Sequence, residues 1–212
     1  MDKPDFVLYA YECRTRAERV LWVLNELQFD YQLIRLNPFE GNNKSAELLK
    51  LNSQGKVPIL TYKNNTYTDS LAIMEYLVDI SNKPTLIPSN AEGNYRFRSF
   101  ICYMLTEVEA YLWIADQSSR LSSVYSWPEG TYDESMMRVN KSIPHMYSFI
   151  SDTGFSMGEN FTIADIYAYH ILTWAIAQGI NHPANIMSYL QRLESLSSCP
   201  EEMKQYDNKY TA

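Results

Sequence analysis

The sequence predicts a chain in two parts, an α/β unit of about eighty residues with a mixed sheet and then an all-helical region. Three observations carry that prediction. The first part alternates between strand-like and helix-like apolar periods in the order β-α-β-α-β-β-α. The stretch Ser81 to Gly93 (SNKPTLIPSNAEG) carries proline twice and has little periodicity, so it reads as a linker. Beyond it every periodic segment is helical. The expected boundaries are 1–82 for the α/β domain, 83–93 for the linker and 94–212 for the helical domain.

Residues 6–10 (FVLYA) read as a short buried strand. From Arg16, Ala17, Val20, Leu21, Val23, Leu24 and Leu27 recur at helical spacing, so a helix runs to about Gln28. Tyr31 to Leu36 alternates as a second strand, which Pro38 ends. Ser45 to Leu51 reads as a short helix. Val57 to Thr61 is a strand, Lys63-Asn64-Asn65 a turn, and Thr66 to Thr68 the hairpin partner. Asp69 or Ser70 can cap a helix whose apolar face is Leu71, Ile73, Met74, Leu77 and Ile80. In the second part, residues 94–120 form one long helical pattern and 131–151 another. Residues 162–178 give a third, apolar nearly all round, and 184–197 a fourth.

Composition excludes several function classes. A net charge of −7 and a pI near 5.0 argue against a nucleic-acid partner, because phosphate backbones attract clustered Lys and Arg. No apolar run reaches the ~18 residues of a membrane span, and the N-terminus reads as lacking a signal peptide. The 3 cysteines, Cys13, Cys102 and Cys199, are an odd number without CxxC spacing, which suits free thiols in a reducing cytoplasm. His145, His170 and His182 lack metal-ligand spacing, so no metal is expected. The 17 tyrosines suit cores and amphipathic pockets equally.

Chemistry concentrates in GKVPILTYKNNTYTDS, Gly55 to Ser70. Pro58 inside a strand reads either as a trans edge proline or as a cis Val57–Pro58 bond that turns the Val57 backbone groups toward a ligand. Asp69-Ser70 reads either as an ordinary N-cap or as a site. The free N–H groups and dipole of a helix N-terminus favour a carboxylate, Ser70 adds a hydroxyl donor, and Asp69 suits an ammonium group. A ligand with an α-amino-acid end fits that pair.

The run QGKVPIL, Gln54 to Leu60, followed by TDS at 68–70, resembles the glutathione-site segment of cytosolic glutathione S-transferases. The resemblance spans nearly the whole chain. It implies a thioredoxin-like domain over 5–82 and an all-helical second domain. MGENFTIADI, 157–166, is similar to the start of that domain's buried core helix, where Thr162 and Asp165 form a capping box. By this resemblance Val57, beside a cis Pro58, pairs its backbone with the cysteinyl part of glutathione. Gln54, Asp69 and Ser70 hold the γ-glutamyl end. Lys44 contacts the glycyl carboxylate, with Asn43 and Lys56 as alternatives.

The thiol-activating residue departs from the family pattern. In LYAYECRTRAERV, alignment with tyrosine-type classes places Ala10 at the tyrosine, flanked by Tyr9 and Tyr11. Alignment with serine-type classes places Thr15 at or one residue beyond the serine. Cys13 resembles the cysteine-type classes but lacks their following proline. Candidates are therefore Thr15, Tyr11 and Cys13, with Thr15 favoured for its place at a helix start. A hydroxyl there is energetically sufficient. Lowering a thiol pKa by ~2 units needs ~2.7 kcal/mol, and one hydrogen bond to a charged acceptor supplies about 1.5–3 kcal/mol.

For the second substrate, Tyr103, Met104, Glu107, Tyr111 and Trp113 lie on the first helix after the linker and Trp174 on the core helix. Tyr103, Tyr111, Trp113 and Trp174 are the pocket candidates. The resemblance thus implies a cytoplasmic homodimeric enzyme of detoxification that conjugates glutathione, its co-substrate, to a small apolar electrophile. A thiol oxidoreductase using Cys13 and a non-catalytic adaptor of the same fold are the alternatives.

Overall fold

In the computed structural model, residues 5–12, 14–37, 41 and 44–204 are described. The chain divides into two compact units, one of residues 1–84 with 194–212 and one of residues 85–193.

The first unit is built on a four-stranded sheet in the order β2-β1-β3-β4, formed by β1 (Phe6–Tyr11), β2 (Tyr31–Leu36), β3 (Ile59–Tyr62) and β4 (Asn65–Thr68). β1 and β2 are parallel, with Phe6 opposite Tyr31. β1 and β3 are antiparallel, with Tyr9 opposite Ile59, and β3 and β4 form the expected hairpin. Phe6, Leu8 and Ala10 are buried and alternate with half-buried Val7, Tyr9 and Tyr11, as period-two patterning requires. The helices are α1 (Ala17–Leu27), α2 (Ala46–Leu51) and α3 (Ser70–Asp79). α1 and α3 pack on each other, α1 against β1 and α3 against β4, burying Val20, Trp22, Leu24, Ile73, Met74 and Leu77. This sheet and its helices form a thioredoxin-like fold, as expected. Several details differ from the sequence reading: β1 extends to Tyr11, β3 extends to Tyr62, and β4 begins at Asn65, which the reading put in the turn. β3 starts at Ile59 rather than Val57, and Ile80 is exposed, because it caps the C-terminus of α3 instead of extending its apolar face. Pro38, read as ending β2, lies outside the described residues.

The second unit is helical. α4 (Ala91–Tyr103) starts where Asn90 accepts a bond from the Gly93 N–H at 2.8 Å. It passes through a π-helical turn, Met104–Glu109, into α5 (Ala110–Ser118), so the expected single helix carries a break in its hydrogen-bond register. α6 (Thr131–Tyr147) packs on α5, and α7 (Ile163–Ala177) is the all-round apolar helix that the sequence indicates. Its start is fixed as expected. Asp165 accepts from the Thr162 N–H at 2.8 Å and hydroxyl at 2.9 Å, and also from the Ser156 N–H and the Tyr189 hydroxyl. α8 (Ala184–Glu194) follows.

Residues after Leu193, including α9 (Glu201–Lys204), group with the first unit rather than with the helical region to which the sequence assigns them. The reason lies on α1. The buried Trp22 indole donates to the Ser198 hydroxyl at 3.1 Å, and Asn25 donates to the Ser198 carbonyl at 3.2 Å. Cys199 is buried there, and burial pushes its thiol up to about 12, so it is an inert packing residue.

Candidate functional site

The sheet topology assembles the site. β1 runs antiparallel to β3 and β3 antiparallel to β4, so the end of β1, the start of β3 and the end of β4 lie at one end of the sheet. Tyr11, the 52–58 segment and Thr68-Asp69-Ser70 therefore meet there, although they are far apart in sequence.

The 52–58 segment is braced at both ends. Asn52 Oδ1 accepts from the Gln54 N–H at 3.0 Å and Asn52 Nδ2 donates to the Lys56 carbonyl at 2.8 Å. Gly55 turns with φ of 61°, where a side chain would be strained, and its carbonyl accepts the Tyr11 hydroxyl at 2.9 Å. The Val57–Pro58 bond is cis, Pro58 is buried, and Val57 is half-buried. Gln54 and Lys44 are exposed. Asn43 lies outside the described residues.

Asp69 resolves the capping question, because its carboxylate accepts from the Leu71 and Ala72 N–H groups at 3.2 and 3.4 Å. Its backbone has φ of 73°, a sparsely populated conformation that costs about 1–3 kcal/mol and occurs preferentially at ligand sites. Ser70 is buried as the first residue of α3, and its hydroxyl accepts from Arg19 at 3.5 Å, which leaves the hydroxyl proton to donate. Arg19 has no exposed surface and stands on α1 among apolar residues. The usable signal was a charge on the apolar face of a helix, which has to be paired.

Thr15 stands just before α1. Its N–H donates to Glu18 Oε2 at 2.6 Å and its hydroxyl to the same oxygen at 3.2 Å, while that hydroxyl accepts from the Ala17 N–H at 3.2 Å. These bonds tie Thr15 to the first turn of α1, whose N-cap is Arg16. Glu18 is buried, and its Oε1 pairs with Arg35 at 2.8 Å. Burial pushes the Glu18 carboxyl above its ordinary range, against the downward pull of Arg35 and the Thr15 N–H. Neither Glu18 nor Arg35 stands out in the sequence. Cys13 lies outside the described residues.

In the helical unit the four aromatic candidates separate. Trp113 and Trp174 meet with ring centroids 6.5 Å apart, Trp113 also contacts Tyr125, and the Trp174 indole donates to buried Asp116 at 3.0 Å. Gln178 and Arg120 also donate to Asp116. Tyr103 and Tyr111 engage α6 instead. The Tyr103 hydroxyl donates to the Ser142 carbonyl at 2.8 Å, and Arg138 lies over the Tyr111 ring at 5.2 Å. The structure therefore brings together one pair of these residues and gives the other two separate partners.

His182 is held by Tyr147 at 2.7 Å and the Leu172 carbonyl at 2.9 Å, and buried His170 stacks on Trp174. Among the described residues no group of three or more His, Cys, Asp and Glu is arranged to hold a metal ion. No helix among them is long and apolar enough to cross a membrane.

Comparison with known proteins places this geometry. Residues 6–79 match the model for the glutathione S-transferase N-terminal domain and residues 102–196 that for its C-terminal domain. The chain is 25% identical to glutathione S-transferase GstA of Escherichia coli O157:H7 over 178 residues, covering 80% of this chain and 84% of that one. It is 30% identical to glutathione S-transferase 1 of Manduca sexta over 162 residues, covering 75% and 72%. Among solved structures, a glutathione transferase homolog from Drosophila mojavensis with bound glutathione superimposes with a TM-score of 0.82 at 22% identity, covering 96% and 94%. On these matches the chain belongs to the glutathione S-transferase family.

Proposed function

We propose that the protein binds glutathione at this end of the sheet, holds it as thiolate and conjugates it to a small, apolar electrophile. The observation that carries the reading is the meeting of the braced Val57–Pro58 segment with the Asp69-Ser70 helix start in a chain of this family. The Val57 backbone would take the cysteinyl part. Ser70, Asp69 and Gln54 would take the γ-glutamyl end, with its carboxylate at the N-terminus of α3 and its ammonium beside Asp69. Lys44 would meet the glycyl carboxylate. Glutathione-bound structures among the relatives support that ligand.

Thr15 is the proposed thiol activator. Glu18 Oε2 already receives the Thr15 N–H at 2.6 Å, so its longer 3.2 Å bond to the hydroxyl is the weaker one to give up. Turned away, the hydroxyl donates to a thiolate while still accepting from Ala17, a chain of bonds that strengthens the donor. The Tyr11 hydroxyl is the second candidate, but its proton serves Gly55 and the brace. Trp113 and Trp174, whose rings meet, are the favoured second-substrate residues over Tyr103 and Tyr111. Catalysis would come from thiolate stabilisation and proximity, without a metal. The reading includes a homodimer in a reducing cytoplasm and a role in detoxification.

A second reading uses the same thiolate. One relative, 27% identical over 169 residues, is the maleylacetoacetate isomerase of Pseudomonas aeruginosa. Reversible addition of the thiolate to an electrophilic double bond would isomerise it without net consumption of glutathione. Calorimetry with glutathione, followed by assay against an aryl halide and an activated alkene, separates these readings. Conjugated product supports the transferase, and isomerised alkene with glutathione recovered supports the isomerase. Disulfide reduction lost in Cys13→Ala would favour the oxidoreductase. Binding without turnover would favour an adaptor, and no binding at all rejects the site.

A further inference from the structure

Arg35 on β2 belongs to no motif, yet it ties together both sides of the proposed activation site. One terminal nitrogen donates to the Tyr11 carbonyl at 2.8 Å and to Glu18 Oε1 at 2.8 Å. The other reaches Glu202 of α9 at 3.3 Å, a half-exposed pair of small weight. The Tyr11 carbonyl ends β1 and Glu18 lies in the first turn of α1, so one guanidinium fixes the end of the strand to the start of the helix. Glu18 extends the tether to the Thr15 N–H at 2.6 Å. A planar fork with several donors can hold two acceptors at fixed angles, which a lysine cannot.

We propose that Arg35 and Glu18 are positioning residues for thiol activation, fixing the Thr15 backbone and so the direction of its hydroxyl without touching the thiol. The inference rests on the proposed role of Thr15. Geometry is the first part of the effect, because Thr15 is held through its N–H, which leaves the hydroxyl rotor as the only adjustable bond. Charge is the second. Thr15 has one hydroxyl proton, and both Glu18 and a thiolate accept it. Arg35 neutralises Glu18 and weakens its claim. An unneutralised carboxylate would keep the proton and would also repel a second anion nearby.

The test uses the full chain with Arg35→Met and the double variant Glu18→Leu/Arg35→Met. The double variant replaces the pair with apolar groups, a change that is commonly neutral or stabilising, and so separates loss of the tether from loss of folding. In both variants the apparent thiol pKa should rise by about a unit and kcat at neutral pH fall about ten-fold, with the glutathione KM changed less than about two-fold. The Asp69-Ser70 contacts are untouched, which is why KM is spared. Amide exchange at Thr15 should accelerate about ten-fold or more while exchange in α3 is unchanged. A wild-type pH profile in the double variant, with its stability restored, overturns the proposal, as does unchanged Thr15 exchange. If wild-type protein binds no glutathione, the function proposed above fails. Thr15 exchange in Arg35→Met still decides the tether, acceleration supporting it and no change overturning it.

Discussion

At Ser70 and Thr15 the neighbours of a single hydroxyl set what it can donate to. Ser70 is buried at the start of α3 with Arg19 donating to its oxygen, which leaves its proton to donate. Ser70→Ala should weaken glutathione binding by about 1.5–3 kcal/mol, the range for a bond to a charged group, measured by calorimetry. Unchanged affinity would place the γ-glutamyl end elsewhere. At Thr15 the expected signature is kinetic. Thr15→Val should lower the rate of conjugation to an aryl halide at neutral pH ten-fold or more, about 1.4 kcal/mol or greater, and raise the apparent thiol pKa. Tyr11→Phe should behave differently. Losing the bond to the Gly55 carbonyl should cost about 0.5–1.5 kcal/mol of stability, with a smaller effect on rate. A reversal of these two patterns would make Tyr11 the activator.

At the scale of elements, α7 depends on its first turn. Asp165 has no exposed surface and collects donors from Thr162, Ser156 and Tyr189, linking the preceding loop and α8 to one carboxylate. Thr162→Ala should cost roughly 1–2 kcal/mol in denaturation and leave glutathione affinity intact. Lost affinity at an unchanged midpoint would make it a binding residue. The link between α6, α7 and α8 through His182 has a pH dependence. The Leu172 carbonyl accepts from Nε2, and in the neutral ring that burial favours Nδ1 is left to accept the Tyr147 hydroxyl. Burial lowers the His182 pKa below its ordinary 6.5. With the folded value depressed, the unfolded chain takes up a proton first as pH falls. The contribution of His182 is therefore complete above about 6.5 and lost as pH falls toward the folded pKa. Urea midpoints compared at neutral and mildly acid pH should show this slope in the wild type and a shallower one in His182→Gln.

Over the whole molecule, the residues after Leu193 return to the first unit, where Ser198 receives both Trp22 and Asn25. A chain ending at Glu194 should lose stability in the first unit, leaving a buried indole N–H without its acceptor at a cost of about 1–3 kcal/mol. Near-identical unfolding of the shortened chain would show that the segment is only appended. The homodimer is a separate expectation, checked by sedimentation at micromolar concentration. A monomer there would reject it.

Read by itself, the sequence determined the element order, the change to all-helical structure, the capping box at Thr162 and the segments that meet at the candidate site, because each is written in local periods and short-range chemistry. VPIL after a turn and DS before an apolar period remain legible wherever the chain places them. Only the tertiary structure decided which residues support that site. Arg19 beneath Ser70, Asn52 bracing the 54–56 turn, and Arg35 joining Tyr11 to Glu18 are contacts set by strand order and helix packing. The same holds for the separation of Tyr103 and Tyr111 from Trp113 and Trp174. Helical spacing puts aromatic residues on a helix, but the neighbouring helices decide whether a given ring meets another ring or a backbone carbonyl.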